Sequence, residues 1–153
     1  MFKYFSLIIV VTITLSFTSI CFSKINNFGD FQNVQFVKNY DGDTITVNIP
    51  NVHPLIGYNI PVRVRGIDCP EIRSHCLAEH KAALLAKNIT YEICKHSHCI
   101  VLKNVQRGKY FRIVADVYVD GKSLSRLLLE SHIAVPYNGK TKKINWCHFL
   151  NAK

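Results

Sequence analysis

The sequence predicts an α+β domain, a small antiparallel barrel of short strands with helices packed on it. Three observations point there. Short stretches alternate strictly between apolar and polar residues, two other segments carry helical spacing, and 153 residues at 17.5 kDa allow one compact domain rather than two. A composition 48% hydrophobic and only 19% charged excludes disorder, collagen and coiled coil together.

Residues 1–23, MFKYFSLIIVVTITLSFTSICFS, stand apart from the fold. Lys3 is their one charge, residues 7–17 form an apolar run softened by hydroxyls, and small residues precede a cleavage point after Ser23. That is the layout of a secretory signal peptide. An uncleaved anchor is the alternative, because residues 5–23 are 19 uncharged positions, although their Ser and Thr content weakens a permanent span. Lipidation at Cys21 is disfavoured by the bulk of Ile20. A secreted or periplasmic protein is expected.

Residues 24–34 read as a lead-in, 35–137 as the domain and 138–153 as a basic tail. In the first strand, residues 43–49, Ile45, Val47 and Ile49 share one face and Thr44, Thr46 and Asn48 the other. Pro54 and Gly57 make residues 51–59 a loop. Residues 60–67 alternate again, with Val62 and Val64 inward, Arg63 and Arg65 outward, and Gly66 marking a bend. Ala82, Leu85, Ala86 and Ile89 give residues 79–93 helical spacing. Two further strands follow at 100–105 and 112–119, the second closed by the turn pair Asp120-Gly121. Ser123 caps a second helix reaching about Ser131. The tail carries Lys140, Lys142, Lys143 and Trp146, and reads as a solvated run or as an extension of a nucleic-acid track.

Charge is lopsided, 19 Lys and Arg against 10 Asp and Glu, for a net +9. Cleavage after Ser23 removes one lysine and no acid, so the basic character belongs to the domain, which suits a polyanionic partner or simple solubility. Export also permits disulfides. Past the leader stand Cys69, Cys76, Cys94, Cys99 and Cys147, an odd number. The stretch Cys94-Lys95-His96-Ser97-His98-Cys99 lacks the usual zinc spacing, so a Cys94 to Cys99 bridge or ordinary loop cysteines are favoured over zinc. Cys76 and Cys147 would alternatively staple the tail to the domain, and a Cys69 to Cys76 bridge would sit beside the carboxylates described next. His75, His80, His132 and His148 read as surface or core-edge residues.

Asp41-Gly42-Asp43-Thr44, the run from Arg63 to Glu71, and Gly108-Lys109-Tyr110-Phe111-Arg112 are the three stretches with chemistry. Taken singly, each has a bland reading: a hairpin turn, a strand end with a proline turn, a solvated basic loop. Together they make a set. Asp43 and Asp68 offer the oxygen ligands a hard cation such as Ca²⁺ takes, Glu71 is a third carboxylate within reach of a water, and Arg63 and Arg112 present forked donors for phosphate. A cation, a base and two guanidinium groups are what phosphodiester hydrolysis requires.

The string VRVRGIDCPEI, preceded by YDGDT and followed by RGKYFRIVADVYVDG, resembles the staphylococcal nuclease (thermonuclease) family over residues 34–137. The resemblance implies a five-stranded OB-fold barrel with packed helices. It implies that Arg63, Glu71 and Arg112 are catalytic, that Asp43, Asp68 and the Cys69 carbonyl bind calcium, and that Asp41 sits near the ion through water. Lys109 and Tyr110 match positions contacting the substrate phosphate. Cys69 stands where the staphylococcal enzyme has threonine, Phe111 replaces a glycine, and Tyr137 is the candidate for a base-stacking tyrosine. The expectation is an exported, calcium-dependent nuclease of low specificity on DNA and RNA, single strands favoured, with no stable protein partner implied and a membrane involved only through an uncleaved leader. The rival is a catalytically idle OB-fold module that binds single strands.

Overall fold

The computed structural model describes residues 28–108, 112–142 and 144–151, so the leader, Lys109 and Tyr110 lie outside the described residues. In chain order the elements are β1 (Gln35–Asn39), β2 (Thr44–Asn48), α1 (Pro54–Gly57), β3 (Ile60–Val64), β4 (Ile67–Asp68), α2 (Leu77–Lys95), β5 (Ile100–Arg107), β6 (Ile113–Val119), β7 (Lys122–Ser123), α3 (Leu124–Glu130), β8 (Val135–Pro136) and α4 (Trp146–Asn151). The main sheet runs β1-β2-β3-β6-β5, with β7 added on β6, and β4 pairs separately with β8. This curled sheet with its helices is an α+β arrangement of the OB class.

The barrel is mixed rather than antiparallel throughout, because β3 and β6 pair in parallel. The cause lies between them: β4, α2 and β5 carry the chain across the molecule, and such a crossover delivers β6 running in the same direction as β3. The alternation of β2 and β3 holds, with Ile45, Val47, Val62 and Val64 in the core beside Leu102, Val117, Leu124 and Leu128. Ser123 caps α3, accepting from the Arg126 N–H, and Asp120-Gly121 makes a turn with φ of 48° and 79°.

Elsewhere the molecule departs from the expected pattern. Within residues 51–59 the chain forms the single-turn α1, with Pro54 in its first turn and the His53 side chain accepting from the Leu55 N–H. The second expected strand breaks at Val64, and Gly66, at φ +85°, turns the chain into β4. Helix α2 buries Ala83, Ala86, Thr90 and Cys94, while Leu84 and Leu85 face solvent. Small residues win that face because the helix lies close on the Asp41–Asp43 turn. A Cβ on Gly42 would come within 2.8 Å of the Ala86 Cβ and of the Cys69 Sγ, and the Thr90 hydroxyl donates to the Gly42 carbonyl at 2.7 Å.

The cysteines settle in one of the alternative patterns. Cys76, the N-cap of α2, bonds Cys147 of α4 across 71 residues, with Cα atoms 5.9 Å apart. Of the two readings favoured over zinc, the Cys94 to Cys99 bridge is not formed: both thiols are free, Cys94 buried in the core and Cys99 directing its thiol to the Asn33 Oδ1 at 3.8 Å. Cys69 is also a free, buried thiol.

Candidate functional site

Strand pairing brings Asp41, Asp43, Arg63 and Asp68 together. The β2–β3 register sets Thr44 opposite Arg63, which brings the turn of Asp41 and Asp43 beside that arginine. The turn after β3 then returns β4 so that Asp68 reaches the same guanidinium. Arg63 forks between the two segments: Nη1 pairs with the Asp43 Oδ2 at 2.9 Å and Nη2 with the Asp68 Oδ1 at 3.3 Å. One planar donor group therefore fixes two carboxylates that lie 25 positions apart in the chain.

Every other contact of these carboxylates is also specific. Asp43 Oδ2 accepts from the Cys69 N–H at 2.7 Å, its Oδ1 accepts from the Thr44 hydroxyl at 3.3 Å, and its own N–H donates to the Asp41 Oδ1 at 3.1 Å. Asp68 Oδ2 accepts from the Trp146 indole N–H at 3.1 Å. Lys142 pairs with the Asp68 Oδ1 at 3.0 Å and with the exposed Glu71 carboxylate. Burial tends to lower the Lys142 ammonium pKa, but its hydrogen bonds to Glu71 and Asp68 hold it above the ordinary value.

The charge distribution bears on whether a metal fits. Asp41, Asp43 and Asp68 are all buried. Burial is the main reason the Asp43 carboxyl is pushed up to about 7; Arg63 opposes the shift, and the charges of Asp41 and Asp68 add to it. Buried negative charge on hard oxygens is the environment a divalent cation relieves. Among the described residues no three His, Cys, Asp or Glu side chains converge as a closed cage, so two carboxylates suit an ion whose remaining ligands are backbone carbonyls and water. Burial and the nearby Asp43 push the Cys69 thiol well above its usual range, so it is no thiolate ligand.

Arg63, Asp68 and Arg112 line one cleft of about 1250 Å³, which Arg65, Lys140 and Lys142 make strongly basic. The Arg112 Nε–H is buried and meets no hydrogen-bond acceptor among the described residues. Gly108 holds the base of that arginine's loop, its N–H donating to the Arg112 carbonyl at 2.7 Å. Tyr137 lines the cleft as well, with its hydroxyl donating to the Lys140 carbonyl.

A family model described as staphylococcal nuclease homologue matches residues 61–148, more than half of the chain. The chain belongs to the staphylococcal nuclease homologue family. No curated protein matches it. Family membership points to nuclease or nucleic-acid-binding function, and the family is typically metal-dependent. The staphylococcal nuclease match begins at Pro61 and so leaves out Asp41 and Asp43, which join the site through their bonds to Arg63 and Cys69. It includes the tail, where the sequence reading named Lys142 and Trp146 as tail residues but gave neither a contact with Asp68 or Glu71. The available signal was a lone tryptophan beside a cysteine in an otherwise basic run.

Proposed function

We propose that this protein is an exported, calcium-dependent nuclease that hydrolyses phosphodiester bonds of DNA and RNA with low sequence specificity, favouring single strands. The observation that carries the reading is the convergence of Asp43 and Asp68 on Arg63, which together with Asp68 and Arg112 lines a basic cleft. Asp43, Asp68 and the Cys69 carbonyl would hold the ion, with Asp41 close by. Bound there, calcium supplies Lewis-acid stabilisation of a phosphate oxygen. Glu71, exposed at the site's edge, accepts the proton of the attacking water once Lys142 yields it. Arg63 and Arg112 bind the phosphoryl oxygens and stabilise the negative charge that builds on them, and the Arg112 Nε–H, which meets no acceptor among the described residues, is a donor such an anion can use. Lys109 and Tyr110 contact the neighbouring phosphate, and the basic wall draws in the polyanion.

Incubation of circular single-stranded DNA and of RNA with calcium or with chelator tests this. Calcium-dependent linearisation of the circle is expected, with Arg63→Ala slower by about 10²–10³. Binding without cleavage would make the chain an OB-fold nucleic-acid-binding module instead. An N-terminal mass beginning near Lys24 is expected for the exported protein, and one beginning at Met1 refutes leader removal.

A further inference from the structure

We propose that Trp146, anchored by the Cys76–Cys147 disulfide, is the positioning residue that orients the Asp68 carboxylate toward the cleft. The inference rests on the metal-dependent reading above. Asp68 is 2% exposed, and a carboxylate so buried needs a donor on each oxygen. Oδ1 is met by Arg63 and Lys142, both of which line the cleft, whereas Oδ2 is met by the indole N–H of Trp146, itself buried. An indole donates and never accepts, and it carries no charge. It therefore occupies one oxygen without competing as a cation for the other. The result is a divided carboxylate, Oδ2 committed to the neutral indole and Oδ1 turned to the cationic side chains of the cleft, where an entering metal ion would compete with Lys142 for it. Partners of this kind set the orientation of a metal-binding side chain, and their loss costs about 10–100-fold in affinity.

Trp146 could not hold this place unaided. Helix α4 has six residues, too few to be stable alone. The next residue is the half-cystine Cys147, bonded to Cys76 at the start of α2, and an edge-on contact of 5.8 Å with Phe149 fixes the ring. The covalent tie thus runs from α2 through Cys147 to the donor on Asp68, making the basic tail a wall of the site.

Trp146 is the chain's one tryptophan, so the ¹⁵N spectrum of the full chain holds a single indole N–H signal. In metal-free protein, Asp68→Asn is expected to shift that signal, and Cys76→Ser with Cys147→Ser to move it toward the position of an exposed indole. Trp146→Phe keeps a ring and removes the donor; calorimetric Ca²⁺ affinity is expected to fall about tenfold or more, with the thermal midpoint in chelator within a few degrees of wild type. An indole signal indifferent to Asp68→Asn overturns the inference, and so does equal Ca²⁺ affinity in wild type and Trp146→Phe. Should Trp146→Phe not fold, the double serine variant carries the affinity comparison, and unchanged affinity there overturns the inference equally. Wild-type protein that binds no Ca²⁺ refutes the calcium reading, whereas the indole response, recorded without ion, still decides whether Trp146 orients Asp68.

Discussion

Replacing Asp43 by asparagine is expected to stabilise the metal-free protein and, on the proposed function, to abolish calcium binding. The carboxyl rises from 3.8 to about 7 on folding, chiefly through burial. An acid raised in this way favours the fold only while protonated, so its contribution is complete below about pH 4 and is lost as pH climbs to about 7. At 1.36 kcal/mol per pH unit, a shift of about 3 units leaves the ionised side chain costing on the order of 4 kcal/mol at pH 8. Asparagine mimics the neutral form: its oxygen can take the place of Oδ2, accepting from Arg63 and the Cys69 N–H, while its NH₂ faces the Thr44 hydroxyl, which can accept. Allowing for imperfect replacement, a gain of about 2–4 kcal/mol is expected at pH 8, shrinking toward zero near pH 4. Urea unfolding of both proteins in chelator across that range measures it. A variant less stable than wild type at pH 8, or a difference that does not change with pH, refutes the reasoning.

Cation binding requires Asp43 ionised, so Ca²⁺ affinity is expected to weaken about tenfold per pH unit below about 7, measurable by calorimetry at pH 6, 7 and 8. Lys142→Met removes an ammonium that competes for Asp68 and Glu71, and a few-fold tighter Ca²⁺ affinity is expected in the same titration. Gly42→Ala forces a methyl against Ala86 and Cys69, costing about 1–3 kcal/mol in urea unfolding and disturbing the turn that carries Asp41 and Asp43. Of the free thiols among the described residues, Cys99 is expected to react with a thiol reagent in the native state, while Cys69 and Cys94 react only on unfolding, since both are buried and burial holds Cys94 up at about 12.

Local chemistry explains what could be foreseen. β2 and β3 alternate because one face of each is core, and period-two patterning survives into the fold without help from distant residues. β1 lies on the sheet's edge with Val37 and Lys38 both exposed, so Gln35–Asn39 shows no alternation to read. Of the stripe read on α2, Ala86 is buried and Ile89 packs against the core, whereas Leu85 faces solvent and Ala83 takes an inner place, because the close approach to Gly42 favours small residues. The carboxylates and arginines were legible as motifs. Lys142 and Trp146 were not, because their place depends on a disulfide spanning 71 residues, and no local pattern encodes that pairing.

The parallel pairing of β3 with β6 also sets the order in which the site can be assembled during synthesis. Arg63 and Arg112 belong to opposite sides of a junction that cannot form until α2 and β5 have been made and laid in place. Contacts between such distant segments form late, because loop closure must be paid before they reward it. A chain still emerging from the ribosome, or a fragment clipped before Arg112, carries Asp43, Arg63 and Asp68 and lacks both the second arginine and the strand β6 on which β3 pairs. On the proposed function, a chain assembled in this order would gain cleavage only once β6 has been added to the sheet.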